Sequence, residues 1–223
     1  MTKELFWQAV AKFILGVVLV GILIFLPAGT LHYDGGLLLM SILFIPMLCA
    51  GIIMMLKAPD LLRKRLSAKE KQGEQSLVIK LSGLMFIVGF VLAGLSYRFG
   101  WLMLPKWVSI VGAVVFLAAY LGFAEVLREN AYLSRTIEVQ EGQKVVDTGL
   151  YGIVRHPMYA ASVLLFLAMP IVLGSLLSFI VFLVYPFIIA KRIRNEEKVL
   201  EEGLEGYSEY KNRVKYRIIP FIW

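Results

Sequence analysis

The chain is poor in the residues that build metal centres and covalent frameworks: one cysteine, Cys49, and two histidines, His32 and His156, in 223 residues. A lone cysteine inside an apolar run excludes a disulfide scaffold and a thiolate metal cluster. Two isolated histidines offer no paired spacing for zinc, so no metal is expected. There is also no Walker loop, no G-x-G-x-x-G element and no Ser-His-Asp arrangement, which removes the usual soluble nucleotide-binding folds and triad hydrolases. Charge is scarce as well. Charged residues make up 17% against 59% hydrophobic, mean hydropathy is +0.77, and this balance belongs to the membrane class.

Apolar runs are what the chain has. Four of them, residues 6–26 (interrupted by Lys12), 35–56, 77–99 and 107–127, reach the roughly 20 residues that cross a bilayer. A fifth run, 156–190, has no Asp, Glu, Lys or Arg over 35 residues. At ~1.5 Å per residue it is too long for one span and slightly short for two. Pro170 and Gly174-Ser175 near its middle predict a helical hairpin, tilted or not fully crossing. The expected fold is an all-α integral membrane protein of about six transmembrane helices, the last two a hairpin, with a cytosolic segment and a C-terminal helix.

The net charge of +7 is sorted by side. Of 23 Lys and Arg, only Arg98 and Lys106 fall on the face opposite the rest. That asymmetry is the positive-inside pattern and predicts both termini in the cytoplasm of what is expected to be a prokaryotic cell membrane. It accounts for the basic excess without a nucleic-acid partner; contact with anionic lipid is the functional alternative. Leu26-Pro27-Ala28-Gly29 offers no small-x-small cleavage site, so the first span is expected to be retained.

Residues 1–127 read as a four-helix membrane region, in which Gly83, Gly89, Gly94 and Gly112 suit close helix crossings. The 57–76 loop, with Arg63-Lys64-Arg65, suits a short helix lying on headgroups. Residues 128–223 read as the functional region. Its 128–155 segment is polar, β-branched near 136–139 and 145–146, and far longer than the ~4–6 residues of an ordinary connector. Residues 191–214 have the pattern of a cytosolic amphipathic helix packing back on that segment. Residues 216–223 suggest a strap returning to the membrane surface with Trp223 at the interface.

Two polar sets flank the uncharged run. Arg155-His156-Pro157-Met158-Tyr159 opens it; Pro157 favours the first helical position, which puts His156 at the helix mouth. From position alone, a cap or headgroup contact suits His156 as well as a ligand contact. Arg192 and Glu196 follow the run four residues apart. An i,i+4 ion pair worth a few tenths of a kcal/mol is the plain reading, but charges this close to the acyl boundary more often serve function. His32, in an outer loop, reads as solvated.

The text Gln140-x-x-Gln143-Lys144-Val145-Val146-x-x-Gly149-Leu150-Tyr151-x-x-x-Arg155-His156-Pro157-Met158-Tyr159 resembles the isoprenylcysteine carboxyl methyltransferase family. So do Arg192-x-x-x-Glu196-Glu197, Gly206-Tyr207-x-x-Tyr210-x-x-x-Val214 and Ile219-Pro220-Phe221. The likeness covers about the last two-fifths of the chain; phospholipid N-methyltransferases are wider relatives and sterol reductases share the C-terminal pattern more distantly. It implies S-adenosyl-L-methionine as cofactor, bound at the cytosolic face, and a lipophilic isoprenoid or lipid acceptor entering from the bilayer. By matching position, Gln140 and a strand of Gln143, Lys144, Val145 and Val146 would contact the cofactor. Tyr151, His156, Pro157, Met158 and Tyr159 would wall it, and Glu196 would hold its polar end. Arg192 would face the acceptor's carboxylate, with Arg155 also on the substrate side; Arg192, Glu196 and His156 form the expected catalytic set. Gln143 stands where the family usually has His, and Leu150 where Pro is common. Both changes permit an acceptor other than a prenylated cysteine.

A carboxylate acceptor, with an ordinary pKa near 4, is already ionised and needs no general base. An amine would arrive protonated and need His156 or Glu196 as base. The implied activity is therefore methyl transfer to the carboxylate of an isoprenylcysteine-like substrate. A lipid N-methyltransferase using the same cofactor is the alternative. A nicotinamide-dependent reductase and a non-enzymatic membrane scaffold stand behind it.

Overall fold

The computed structural model describes residues 3–66, 73–130, 132, 133, 137 and 139–223, the side chains of 64, 65 and 73–76 aside. The first four expected spans are helices α1 (Lys3–Ala28), α2 (Asp34–Lys57), α4 (Gly73–Phe99) and α5 (Lys106–Glu129). Between α2 and α4 lies α3 (Pro59–Leu66), the short basic helix expected there. Lys12 Nζ reaches from α1 to the Leu66 carbonyl at 2.6 Å, so the one charge inside the first span answers a helix end. The remaining residues of that loop, 67–72, and part of the β-branched 136–139 stretch lie outside the described residues.

The uncharged run is a hairpin, with limbs of unequal build. Its first limb, α6 (Pro157–Val172), has 16 residues, or about 24 Å at 1.5 Å per residue, short of the ~30 Å hydrocarbon core. Its second limb is α7 (Leu176–Phe182) followed by α8 (Tyr185–Gly203). They meet at Leu183 and Val184, whose backbones stay helical, ahead of Pro186, which has no N–H to continue the ladder. Taken together, residues Leu176–Gly203 are long and apolar enough to cross a membrane. Five such helical stretches plus the shorter α6 stand where about six spans were expected, in a multi-pass membrane protein. At the turn, Gly174 has φ +69°, a left-handed conformation that a side chain would strain. Ser175 caps α7 by accepting from the Ser178 N–H and donates to Ser96 Oγ at 3.0 Å. The turn is also paired with the α4–α5 loop through Leu104 N to Gly174 O at 2.8 Å.

Packing explains why the hairpin is rigid. The α5–α6 pair is in the most extensive contact, and α4 closes on α7. Phe86 meets Phe166 edge-on at 4.8 Å and Phe182 at 5.4 Å, tying α4, α6 and α7 in one aromatic knot. Three of the four expected crossing glycines do permit close approach. A Cβ on Gly112 would stand 2.7 Å from Ile171, one on Gly94 would stand 2.5 Å from the Ile24 carbonyl, and one on Gly89 would strike the Phe182 ring. Gly83 has open space instead, so that expectation fails there. Gly94→Val should therefore cost about 1–3 kcal/mol through overpacking against backbone, read as a lower thermal midpoint in detergent. Gly83→Ala should be neutral in the same assay.

Candidate functional site

The polar end of the bundle is built by the loop after α5. Glu129, the last residue of α5, accepts from Thr148 Oγ1 at 2.9 Å and from the Leu150 N–H at 3.3 Å. It thereby sets a 3-10 turn, Gly149–Gly152, that presents Tyr151. The Tyr151 hydroxyl accepts from Asn130 Nδ2 at 2.9 Å, and its carbonyl accepts from the Tyr210 hydroxyl at 2.8 Å. Upstream, the chain doubles back between Gln140 and Gln143. The Gln143 N–H donates to the Gln140 carbonyl at 3.0 Å, and Gln143 Oε1 accepts the Gln140 N–H at 2.9 Å. The Gln140 side-chain amide donates to the Tyr132 carbonyl at 2.5 Å. The segment Gln143–Val146 is not the strand expected. It has no ladder partner among the described residues, and Val145 packs on Leu204, Tyr207 and Tyr210.

That small apolar cluster is where the C-terminal part folds back, as its amphipathic pattern predicted. The expected single helix is two: α8 ends at Gly203, Gly206 turns at φ +81°, and α9 covers Tyr207–Arg213. A left-handed Gly breaks a helix more cheaply than any other residue, which the charge pattern alone concealed.

His156 is the N-cap residue of α6 with Pro157 at the first turn, yet its side chain makes no cap bond. Its ring instead meets two glutamates. His156 Nε2 lies 3.2 Å from Glu197 Oε1, and Nδ1 lies 3.9 Å from Glu196 Oε1. Glu197, with its side chain 4% exposed, is the hub. It also accepts from Arg155 Nε at 2.8 Å and from Arg217 Nε at 2.9 Å. A carboxylate so shut from water persists only because several charged donors surround it. Glu196 accepts from the Tyr159 hydroxyl at 2.5 Å, and that hydroxyl accepts from Arg192 Nε at 2.8 Å. Arg192 and Glu196 are thus linked through Tyr159 across two helices, a longer-range arrangement than a surface i,i+4 pair.

The last residues clamp this set from the far side. The Arg155 and His156 N–H groups donate to the Tyr216 and Arg217 carbonyls at 2.9 and 2.8 Å. Arg155 Nη1 reaches the Val214 and Lys215 carbonyls at 2.7 and 2.8 Å. Trp223 packs against the main core with the Arg217 guanidinium 5.3 Å above its ring. The expected surface strap is therefore a brace on Arg155-His156, and Trp223 is a seat for Arg217.

These parts line one cavity of about 100 Å³, partly open to solvent. Of the residues expected at the cofactor, Gln143, Lys144, Val145, Val146, Tyr151, His156, Met158, Tyr159 and Glu196 line it, with Arg192 and Arg155. Gln140 and Pro157 do not: the first holds the loop turn and the second starts a helix. Arg155, expected on the substrate side, directs Nε and Nη1 into Glu197 and two carbonyls. Glu197, Asn130, Tyr207 and Tyr210 were missed. Glu197 had a legible signal, since it continues the fully buried Ile189–Ile193 stripe at i,i+4 spacing. No group of three metal-ligating side chains occurs among the described residues.

Residues 110–202 match the model of the isoprenylcysteine carboxyl methyltransferase (ICMT) family. The chain is similar in structure to the eukaryotic intramembrane Ras methyltransferase ICMT, with a TM-score of 0.61 and 18% identity, over 96% of this chain and 77% of that one. It is also 33% identical over 91 residues to a Delta(14)-sterol reductase of Mus musculus, which is 40% of this chain and 22% of the reductase. The chain thus matches only about a fifth of that curated relative's length. The family expected from the motifs and the all-helical membrane fold both agree with these likenesses.

Proposed function

We propose, from the premise that residues 110–202 carry the pattern of the isoprenylcysteine carboxyl methyltransferase family, that this protein is an integral-membrane methyltransferase. In this reading it moves a methyl group from S-adenosyl-L-methionine to the carboxylate of a lipophilic, isoprenylcysteine-like acceptor. Residues 1–127 are the membrane scaffold and 128–223 the catalytic region, joined rigidly by the α5–α6 contact. Both termini face the cytoplasm. The observation that carries the reading is the single cavity in which the loop after α5, the mouth of α6 and the polar stripe of α8 converge on His156 and Glu196.

The residues suit the donor. Tyr132, Tyr151 and Tyr159 give aromatic walls for a purine, and the 143–146 segment, with no ladder partner among the described residues, offers backbone polar groups. Glu196 offers an acceptor for an ammonium. Bound there, the donor supplies an activated methyl group on a sulfonium. The protein's own share is positioning, for which ~7–11 kcal/mol is available in principle. Arg192 binds the acceptor's carboxylate in place of water, which orients it. Tyr159, held between Arg192 and Glu196, keeps the two half-sites in register. The Glu197 brace holds the His156 ring on the cavity wall.

Incubation of membranes carrying the protein with methyl-labelled donor tests this. Label should enter the lipid-extractable fraction as a base-labile methyl ester, and Arg192→Ala should remove it. Base-stable label would instead establish the amine alternative, which one observation favours. His156 Nδ1 lies 3.9 Å from Glu196 Oε1 on the cavity wall, a position from which the ring would serve an amine acceptor as base. The sterol reductase likeness favours a second reading, a nicotinamide-dependent reductase. That reading requires NADPH binding and indifference to S-adenosylhomocysteine.

A further inference from the structure

The last residues carry an apolar tip that the brace on Arg155-His156 does not use. Ile218 is buried in the main core with Ile189 and Ile193 of α8, and Trp223 packs on the same core. Between these two anchors, Ile219, Phe221 and Ile222 are 44%, 86% and 77% exposed. The tip is closed on itself by its own backbone. The Arg217, Ile218 and Ile219 N–H groups donate to the Trp223 carbonyl at 2.9, 3.0 and 3.1 Å, and the Ile222 N–H donates to the Ile219 carbonyl at 3.2 Å. Phe221 has φ +67°, a left-handed conformation that strains a bulky residue, and its ring touches protein at Tyr216, 5.3 Å between centroids. Among the described residues the other non-glycine residue with positive φ is Leu102, 56% exposed beside Trp101 in the α4–α5 loop. Each end of the bundle thus holds one strained, outward apolar side chain.

Three large apolar side chains exposed in one four-residue turn mark an interaction surface, and the level of the turn says with what. The Arg155 and His156 N–H groups hold residues 216 and 217 to the mouth of α6, where the uncharged run begins, so the tip stands at the edge of the hydrocarbon layer. The charge pattern agrees. Lys191 and Arg194, just past the uncharged run, and Lys215 in the strap are exposed cations. The exposed acids Glu201, Glu202, Glu205 and Glu209 come later on α8 and beyond it, the first about 15 Å up the helix from Lys191 at 1.5 Å per residue. Cations near and acids far suit an anionic leaflet. We propose that Ile219, Phe221 and Ile222 dip into the lipid leaflet at the polar end of the bundle and anchor the strap there. Trp223 stays on the core, and Phe221 takes the interfacial place expected of it. The anchor bears on the site without touching it. Strap carbonyls hold Arg155 and His156, and Arg217 holds Glu197, so leaflet and brace meet in one turn. The inference holds whichever reaction the cavity performs.

The test is spin labelling in a bilayer, which the chain's single cysteine makes simple. In a Cys49→Ala background, Phe221→Cys carries a nitroxide on the full-length protein in vesicles of phosphatidylcholine and phosphatidylglycerol. Its collisions with oxygen, which concentrates in hydrocarbon, are compared with those of a water-soluble nickel chelate. Phe187→Cys, at a position 76% exposed within the last span, is the lipid reference. Ser208→Cys, at an exposed position of α9, is the water reference. The label at 221 should follow the one at 187, with oxygen strong and nickel weak. An oxygen-to-nickel ratio like that at 208 overturns the proposal. So does protection from both reagents, which would mean that a second copy or another protein covers the tip. Ile222→Cys is measured beside it and decides the matter should the Phe221 variant melt early.

Discussion

Glu197→Ala is expected to destabilise the protein by about 3–5 kcal/mol, the usual cost of leaving a buried charge without its partner. The Arg155 side chain is 5% exposed and loses its carboxylate contact at Nε. Arg217 loses its contact with Glu197 in the same step, and His156 keeps only Glu196, at 3.9 Å. A thermal or denaturant melt of purified protein in detergent should show an early transition of the polar end of the bundle. Bound ligand should not restore it, because the damage lies beneath the cavity wall. Glu197→Gln should lose less, since the amide oxygen still accepts hydrogen bonds while only the charge is gone. The contrast is Asp34–Lys106 on the opposite face, also an ion pair at 3.0 Å but with side chains 78% and 90% exposed. Asp34→Asn should change stability by no more than about 1 kcal/mol. Equal effects at the two sites would contradict the account of Glu197 as the hub.

Glu196→Ala should do the reverse, sparing stability and removing affinity. Its side chain is 24% exposed and lines the cavity, so truncation lets water in and leaves no sealed charge. What it removes is the acceptor for a ligand ammonium and the partner of the Tyr159 hydroxyl at 2.5 Å. A hydrogen bond between charged groups contributes about 1.5–3 kcal/mol, or roughly 10- to 150-fold in Kd. Titration with S-adenosylhomocysteine should show a loss of that size with a thermal midpoint near wild type. Two adjacent glutamates on α8 thus divide the work. Neighbours on a helix point about 100° apart, so one faces the brace and the other the cavity.

That division marks where the sequence stopped being readable. The spans were legible because hydropathy over about 20 residues is a one-dimensional signal, and α2 and α5 fall within one or two residues of the expected limits. Pro157 was legible because proline's fixed φ suits a first helical turn. Glu196 was given a role and Glu197 none, although the buried Ile189–Ile193 stripe pointed to Glu197 as the sealed carboxylate. Arg155 looked like a substrate contact because its side chain stands at the membrane mouth; the chain that folds over it, residues 214–217, is some 60 residues away. The Val145–Val146 pair has the composition of a strand, but a strand needs a partner, and here the cluster of Leu204, Tyr207 and Tyr210 takes the Val145 side chain instead. Tyr207 was quoted in a motif without a role, since nothing one-dimensional shows that it lines the cavity.

The central claim is that the cavity at the polar end of the hairpin is a methyl-donor site. Titration of the wild-type protein in detergent with S-adenosylhomocysteine, beside a parallel titration with NADPH, tests it most directly. The account predicts saturable, one-site binding of the first and none of the second. Binding of NADPH with no response to S-adenosylhomocysteine would contradict it.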